Sequence, residues 1–491
     1  MKKILVLVVL LSSFSGLFAG GLVTNTNQSS LFTRFMCRDA TLGIDAVYFN
    51  PAGIATYKDG FYLSLHNQSI TQNQSITNNY PYLSDPAFEY TGTVKAPLFP
   101  SVYAAYKFGN IAVSFGFNPI GGGGGAEFAD GLPSFETMVA DLVPMLYSQI
   151  KPLDDGIIAA TGGFDPGFKN ITGYNSNIYF KGSSIYFGYQ ANVSYSVSDK
   201  LSLGIGARLV AAKNTYSGYV SDVTINTPEA YGGTQTPGNY LRVLANTDFV
   251  GAESPLGQTL IGTASQLDVQ TDLEANVIRK GTGVTPIFSL NFAPNDMLNF
   301  SVKYEVKTKL ELATEVIDGK DAGGMFVDGS AVVADMPAQL VVGAAVKPND
   351  KILISTGIHY YFDKSNDYDG SLTQDIVMID NNSFEYGLGI EYGFTEKLRL
   401  SGGWMITRTG VNDLYQSDQR FSLNTNSFGG GLGISVLPSL DVDLGGSYTL
   451  YEDGFRGYPH SLGSTNIAVT ESYDKSVWMV SVGLSFSFEA R

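Results

Sequence analysis

The chain of 491 residues has one cysteine, two tryptophans and three histidines. A single thiol, Cys37, excludes an intrachain disulfide. Charged residues make up only 15 % of the chain, below the usual share of about a quarter. Acids outnumber bases, 46 Asp and Glu against 30 Lys and Arg, for a formal net charge of −16. That balance argues against a nucleic-acid partner, which wants basic patches. After Leu11 there is no run of about 18 apolar residues, so no membrane-spanning helix is expected. There is no G-x-S-x-G elbow, no H-E-x-x-H and no phosphate loop, so no catalytic residue, metal ligand or cofactor site is assigned. The run Ser365–Ser371 lacks an acid at its first position, Ser365, and at its twelfth, Ile376, which excludes an EF-hand. No Pro/Ser-rich linker divides the sequence, although roughly 470 residues would ordinarily suggest several domains.

The chain opens with a short basic stretch, Lys2-Lys3, an apolar run Ile4–Leu11 and small residues to Ala19. This is the pattern of a secretory signal, too short to span a bilayer. Residues 1–19 are therefore expected to be removed, and Cys37 lies too far downstream for a lipid-anchored terminus. The chain is rich in glycine (56) and in tyrosine and phenylalanine (29 and 30). Apolar and polar residues alternate strictly over long stretches. Trp478, Val480, Val482, Leu484, Phe486 and Phe488 share one face, and Met479, Ser481, Gly483, Ser485 and Ser487 the other. The same period runs through 384–394, 440–450, 298–307 and 201–210. A soluble sandwich also alternates. Here the strands reach about ten residues, the length a tilted strand needs to cross a bilayer.

Short turns, such as Gly109-Asn110, Ser198-Asp199, Pro348-Asn349-Asp350 and Leu437-Pro438, alternate with long connections. The long ones fall at about Ile70–Pro97, Pro119–Lys181, Ser221–Gln266, Ile317–Met336, Asp363–Asn382, Gly410–Thr425 and Glu452–Lys475. This is the habit of bacterial outer-membrane barrels. Counting from Gly60 gives about fourteen strands, with poor periodicity only near Pro286. The expected fold class is all-β: a transmembrane antiparallel β-barrel of about fourteen strands, residues 58–491, preceded by an N-terminal segment.

That segment, residues 20–57, is too apolar for a disordered tail, and with the barrel's N-terminal edge at the short-turn rim it can fold inward as a plug. It contains GGLVTNTNQSS and RDATLGIDAVYFNPAGIA. These stretches resemble the N-terminus of the FadL-type long-chain fatty-acid transporters of the outer membrane. The matching pattern is Asp39-Ala40, Ala46 and Asn50-Pro51-Ala52-Gly53. The resemblance is confined to about Gly20–Ala55. It implies a plug (hatch), a fourteen-stranded barrel and passive uptake of fatty acids or other hydrophobic compounds. In that family the third strand is kinked and opens a lateral gap. The counterpart here is Ile111–Phe128, where Phe117 runs into Asn118-Pro119 and five glycines from Gly121. Proline cannot donate to a ladder, and a glycine run weakens a strand. A flexible outer loop is the alternative reading of the same residues.

The next connection carries LPSFETMVADLVPMLYSQI. Ser134 is placed to cap a helix from Phe135, with Pro144 kinking or splitting it. Phe135, Met138, Val139, Leu142, Leu146 and Ile150 recur at helical spacing. An apolar helix in an outer loop suits a capture groove, as the family uses such a loop; packing on the barrel rim is the simpler reading. Arg208, Lys303, Lys307, Arg399, Glu305, Glu385, Glu391, Asp441 and Asp443 fall on the inward face. Mixed signs suggest an internal network, in which Arg208 or Lys303 could meet a ligand carboxylate.

The sequence thus points to a monomeric bacterial outer-membrane channel, not an enzyme. Its partners would be surrounding lipid and a hydrophobic small molecule, a long-chain fatty acid foremost. The rivals are a general porin and a surface receptor or adhesin, for haem for example. His460 in a loop is the one cue to the latter.

Overall fold

The computed structural model describes residues 28–368 and 377–490. The stretch read as a signal, and part of the Ser365–Ile376 run, lie outside the described residues. Fourteen antiparallel strands close into a barrel. Its first strand, β1 (Gly60–Asn78), pairs with β2 (Glu89–Phe108) on one edge. On the other it pairs with the final strand (Thr465–Glu489), from Gly60↔Glu489 to Asn78↔Glu471. Closure removes the exposed sheet edge that an open β-protein must protect.

The barrel is inside-out relative to a soluble protein. Outward-facing Val480 and Phe488 are 51 % and 53 % exposed, while inward Ser64, Gln68, Asn291 and Glu385 are buried. Exposed Phe61, Tyr106, Phe108, Phe394 and Phe488 gather near the short-turn rim, and Tyr386, Trp404, Tyr448 and Trp478 lie a membrane's depth away. Alternation of this sense, with aromatic girdles, is what a lipid-embedded strand requires.

Several strands run longer than the period suggests. β1 continues to Asn78 and β2 starts at Glu89, so most of Ile70–Pro97, read as a connection, is strand. Likewise Glu452–Lys475 contains a hairpin strand, Gly454–Leu462, paired with the top of the final strand. The physical reason is local. Only the part in the bilayer must show the two-sided period; above it the ladder continues with no lipid face to pattern. β3 (Ile111–Phe128) likewise does not end at Pro119. Near Pro286, the Pro286 carbonyl accepts from Val306 N at 2.9 Å. Its nitrogen therefore faces the same neighbour, which leaves regular pairing at Glu305, so little is lost by the missing N–H.

The outer loops carry helices. α3 (Pro133–Ala140) and α4 (Leu142–Thr161) form where a helix was expected, with differences in detail. Ser134 is not the cap. Leu132 holds that position, and Ser134 N instead donates to Asp418 Oδ2 at 2.7 Å. The break falls at Asp141, and Pro144 sits in the first turn of α4, where an N–H has no intrahelical acceptor. α5 (Pro237–Ala245) and α6 (Pro255–Gln270) occupy a stretch read as an irregular connection. Their starts were legible: Thr236 and Ser254 cap the helices by accepting from Asn239 N and Gly257 N, each followed by proline.

Candidate functional site

Residues 28–57 fold inside the barrel as two short helices, α1 (Ser30–Phe35) and α2 (Ala46–Phe49), and a 3₁₀ turn, Pro51–Thr56. They are buried almost throughout. The Asn50-Pro51-Ala52-Gly53 turn is held from three strands. Ser194 on β4 (Tyr174–Ser198) donates to Pro51 O at 2.7 Å. Ser202 on β5 (Leu201–Asn226) donates to Ala52 O at 2.8 Å. From Leu273–Asn295, Ser289 Oγ accepts from Ala52 N at 3.0 Å and Asn291 Oδ1 from Asn50 Nδ2 at 2.7 Å. Asn50 Oδ1 also accepts from Gly53 N. A turn with preset φ loses little entropy on ordering, and its backbone groups find wall hydroxyls in place of water.

The other half of the motif is clamped as firmly. Asp39 Oδ1 lies 2.8 Å from His359 Nε2, whose Nδ1 lies 3.0 Å from Glu385 Oε2. Ser301 Oγ donates to Asp39 O at 2.6 Å, and Asn299 Nδ2 to Ala40 O at 2.8 Å. Ala46 packs in the apolar cluster with Phe32, Met36, Phe49 and Ile54. Arg34 donates to Asp443 at 2.9 Å and also to Glu391. The wall leaves room for this contact with glycine. A Cβ on Gly357 would sit 1.9 Å from Asp39 Oδ2, and one on Gly389 2.1 Å from Phe35 O. Glycine at these wall positions lets the plug's backbone and side chains approach the strands closely.

Above the plug lies a cavity of about 460 Å³, within the roughly 300–1,000 Å³ of small-molecule sites. Phe32 of α1 and Met36 at its C-terminal cap help form its floor, and Ile70, Gln72, Phe128, Tyr186, Met405, Tyr451 and Lys475 are among its walls. The wall is incomplete on one side. β2 and β3 pair through Gly92↔Phe128 and Val94↔Ala126, then not again until Val102↔Phe117. Val94, Ala96 and Phe99 on one lip, and Gly122 and Ala126 on the other, line the cavity. Pro97, Pro100 and Pro119 stand at this interruption, so three of its residues have no N–H to orphan. β2 is pinned there by β1: Ser69 Oγ donates to Pro97 O at 2.9 Å, and Leu98 projects outward, 77 % exposed.

The sequence-assigned residues divide. Phe117 forms the first pair below the interruption and stacks outside on Phe187. Asn118 turns inward, its Nδ2 donating to Gln28 Oε1 at 2.6 Å. Pro119 and Gly121 stay paired with β4 through two register shifts. Gly122, at φ +93°, takes a backbone conformation that side chains disfavour, and a Cβ there would meet Ser184 O at 2.1 Å. Phe135 and Met138 line a small crevice in the outer loops with Phe180, Tyr216 and Phe326, and Phe180 and Tyr216 also line the cavity below. Val139, Leu142 and Leu146 do not face that crevice; they are packed in the loop core with Phe168, Tyr240, Leu244 and Leu267. Arg208 and Lys303 are already satisfied. Arg208 grips Glu305 with both terminal nitrogens at 2.7 and 2.8 Å, and Lys303 reaches Glu305 Oε1 and Tyr48 O at 2.8 and 3.0 Å. They brace the wall against α2 and do not line the cavity.

A closed fourteen-stranded barrel with apolar belt, inward polar face and an internal N-terminal segment is a plugged transmembrane β-barrel. The chain shares this fold with a FadL homologue of Pseudomonas aeruginosa: TM-score 0.60, 13 % identity, covering 96 % of this chain and 100 % of that one. It is also similar to the P. putida toluene transporter TodX: TM-score 0.54, 14 % identity, covering 91 % and 95 %. No family model and no curated protein matches by sequence.

Proposed function

We propose that this protein is a monomeric channel of a bacterial outer membrane for passive uptake of hydrophobic small molecules, long-chain fatty acids foremost. In this reading residues 1–19 are removed on export, 20–57 form the plug and 58–491 the barrel, surrounded by outer-membrane lipid. The carrying observation is the cavity itself: floored by the plug, roofed by the outer loops and bordered by both lips of an interrupted ladder. Ligand lands on the loop crevice at Phe135 and Met138 and passes Phe180 and Tyr216 into the cavity. It leaves through the wall near Asn118–Gly121 when the plug's hold on Asn118 shifts. The fold likeness to a toluene transporter is compatible with a ligand of this apolar class. Each buried methylene contributes about 0.8 kcal/mol, enough for micromolar affinity without chemistry.

The test is equilibrium binding of palmitate to the detergent-purified mature protein, beside conductance of the parent and of a variant lacking residues 20–57. Saturable binding with a closed parent and an open deletion variant is expected. Large conductance in the parent without binding would overturn the reading in favour of a porin.

A further inference from the structure

We infer that the outer face of β4, β5 and the strand Leu273–Asn295 docks a phosphorylated glycolipid of the surrounding leaflet, with its phosphate held between Lys213 and Lys280. The inference rests on the outer-membrane reading above and concerns the outside of the barrel, not its lumen.

Lys213 and Lys280 stand directly opposite one another on neighbouring strands. Both are exposed and share the outward face with Leu209 and Val284, the next pair but one below. Like charges directly opposed destabilise a sheet, so the pair calls for an anion. Elsewhere at this end of the barrel, outward cations stand alone or beside acids. Lys95 faces Thr71, Lys181 lies 3.0 Å from Glu127, and Arg408 lies 3.5 Å from Glu452. Lys280 also reaches Glu315 at 3.0 Å, but both members of that pair are 55 % exposed, and an exposed ion pair is worth little. On its other side Lys213 is opposite Ile185, whose side chain offers no acceptor. The strand Glu311–Asp321 turns acidic at Glu311 and Glu315, which confines an anion to the β5 side.

Depth and chemistry agree. Lys213 lies twelve residues along β5 from Leu201 at the short turn, about 40 Å of strand. At a tilt of about 40° this is about 30 Å along the membrane normal, just beyond an apolar band of about 25 Å. Below the lysines, Ile205, Leu209, Val284 and Phe288 are apolar and exposed. Above them β5 presents Thr215 and Ser217, then Tyr219, stacked on Tyr179 of β4 with ring centres 5.6 Å apart. Acyl chains, phosphate and sugar would therefore meet apolar side chains, two cations and a platform of hydroxyls and rings, in that order. Basic clusters at a membrane surface recognise anionic head groups, and one phosphate accepts charge-assisted bonds from two ammonium groups. A phospholipid matches the first two levels and leaves the third without a partner. The three strands run to 25, 26 and 23 residues, long enough to present all three levels.

The experiment titrates the mature protein in nonionic detergent with diphosphorylated lipid A, its dephosphorylated form and phosphatidylglycerol, counting bound lipid by native mass spectrometry. Lipid A should bind about thirtyfold more tightly than its dephosphorylated form, the weight of two lysines near a membrane surface. Lys213→Gln combined with Lys280→Gln should abolish that preference, and Lys213→Gln alone should reduce it about fivefold. Lys213→Arg should keep it. Lys95→Gln, the same change of charge on another strand, should leave it unmoved. Phosphatidylglycerol should bind more weakly than lipid A. Equal binding of the two lipid A forms, or equal losses in Lys95→Gln and Lys213→Gln, would overturn the site. Phosphatidylglycerol binding as tightly as lipid A would overturn the glycolipid in favour of a general anionic-lipid surface. If the double variant fails to fold, the single variants decide, and a preference intact in both Lys213→Gln and Lys280→Gln would overturn the site as well. Loss of the lipid A preference with saturable palmitate binding intact would sink this inference alone, whereas failure of palmitate to bind would sink the uptake reading.

Discussion

The lower and upper halves of the lumen are built by the same strands to opposite ends. Below, polar groups of the plug are paired with the wall or with one another: Asp39 with His359, Arg34 with Asp443, Arg38 with Asp45, the Asn50–Gly53 turn with Ser194, Ser202, Ser289 and Asn291. Above, apolar and polar side chains surround open space, and Gln72 Nε2 and the Lys475 ammonium face it with no acceptor among the described residues. A filled, satisfied region is rigid and specific, whereas a region with unmet donors is prepared to receive something. The wall repeats the contrast. β4 and β5 pair almost without break from Tyr174 to Ser198, while β2 and β3 part between Val94 and Val102.

The comparison can be broken most forcefully from below. Arg208→Ala removes two charge-assisted hydrogen bonds from buried Glu305 and leaves it Lys303 alone, which should cost about 3–5 kcal/mol. Thermal unfolding would show it as a large loss of stability, with palmitate affinity within about twofold of the parent in the folded fraction. A comparable loss of affinity would place Arg208 in the ligand site and blur the two halves.

Gly357→Val is next. Its side chain would overlap the Asp39 carboxylate and should push the plug off the wall. Raised conductance in planar bilayers is the expected outcome. An unchanged, closed barrel would mean that the plug tolerates displacement.

Asn50→Ala removes the cap on Gly53 N and one of the two donors to Asn291 Oδ1, leaving it Asn299 Nδ2. The expected cost is about 1–3 kcal/mol, read as a lower unfolding midpoint with the ligand site intact.

The smallest expected effect is proton-linked and lies in the roof. Burial, with Glu471 nearby, pushes the Asp418 carboxyl up to about 7. A carboxyl whose folded value is raised favours folding in its protonated form. The stability it contributes therefore grows as pH falls from about 7 toward the ordinary value of 3.8. Proteolysis within residues 411–424 should be about threefold slower at pH 5.5 than at pH 8. Asp418→Asn should remove the difference. By contrast Glu136, in the same roof, is pushed up by burial but held below its ordinary value by donors from Ser84, Tyr90 and Tyr174, so it stays ionised across this range.

Where the lipid imposed a period, the sequence could be read directly. The alternation over 478–488 and the short turns such as Gly109-Asn110 specify strands, their order and their number. Where no lipid face exists the signal fades. Lys475, Gln72, Val94 and Ala96 come from stretches that read as connections, because above the bilayer a paired strand needs no two-sided pattern. α5 and α6 were hidden by length, though Thr236-Pro237 and Ser254-Pro255 were fair signals for them. Val139, Leu142 and Leu146 show the limit of a helical stripe, which marks a buried face without saying what covers it.

The sequence by itself determined an all-β chain with lipid-facing strands and an apolar segment ahead of them, since those properties are local and periodic. Only the tertiary structure decided which polar side chains are spent and which are free. In one dimension Arg208 and Lys303 read as inward cations and Lys475 as the end of a connection, and none of them shows its partner. Closing the barrel brings Glu305 to Arg208, 97 residues away in the chain, while Lys303 meets the same carboxylate from its own strand and Lys475 faces open space. The outcome depends on partners distant in the chain, and no local pattern encodes that distance.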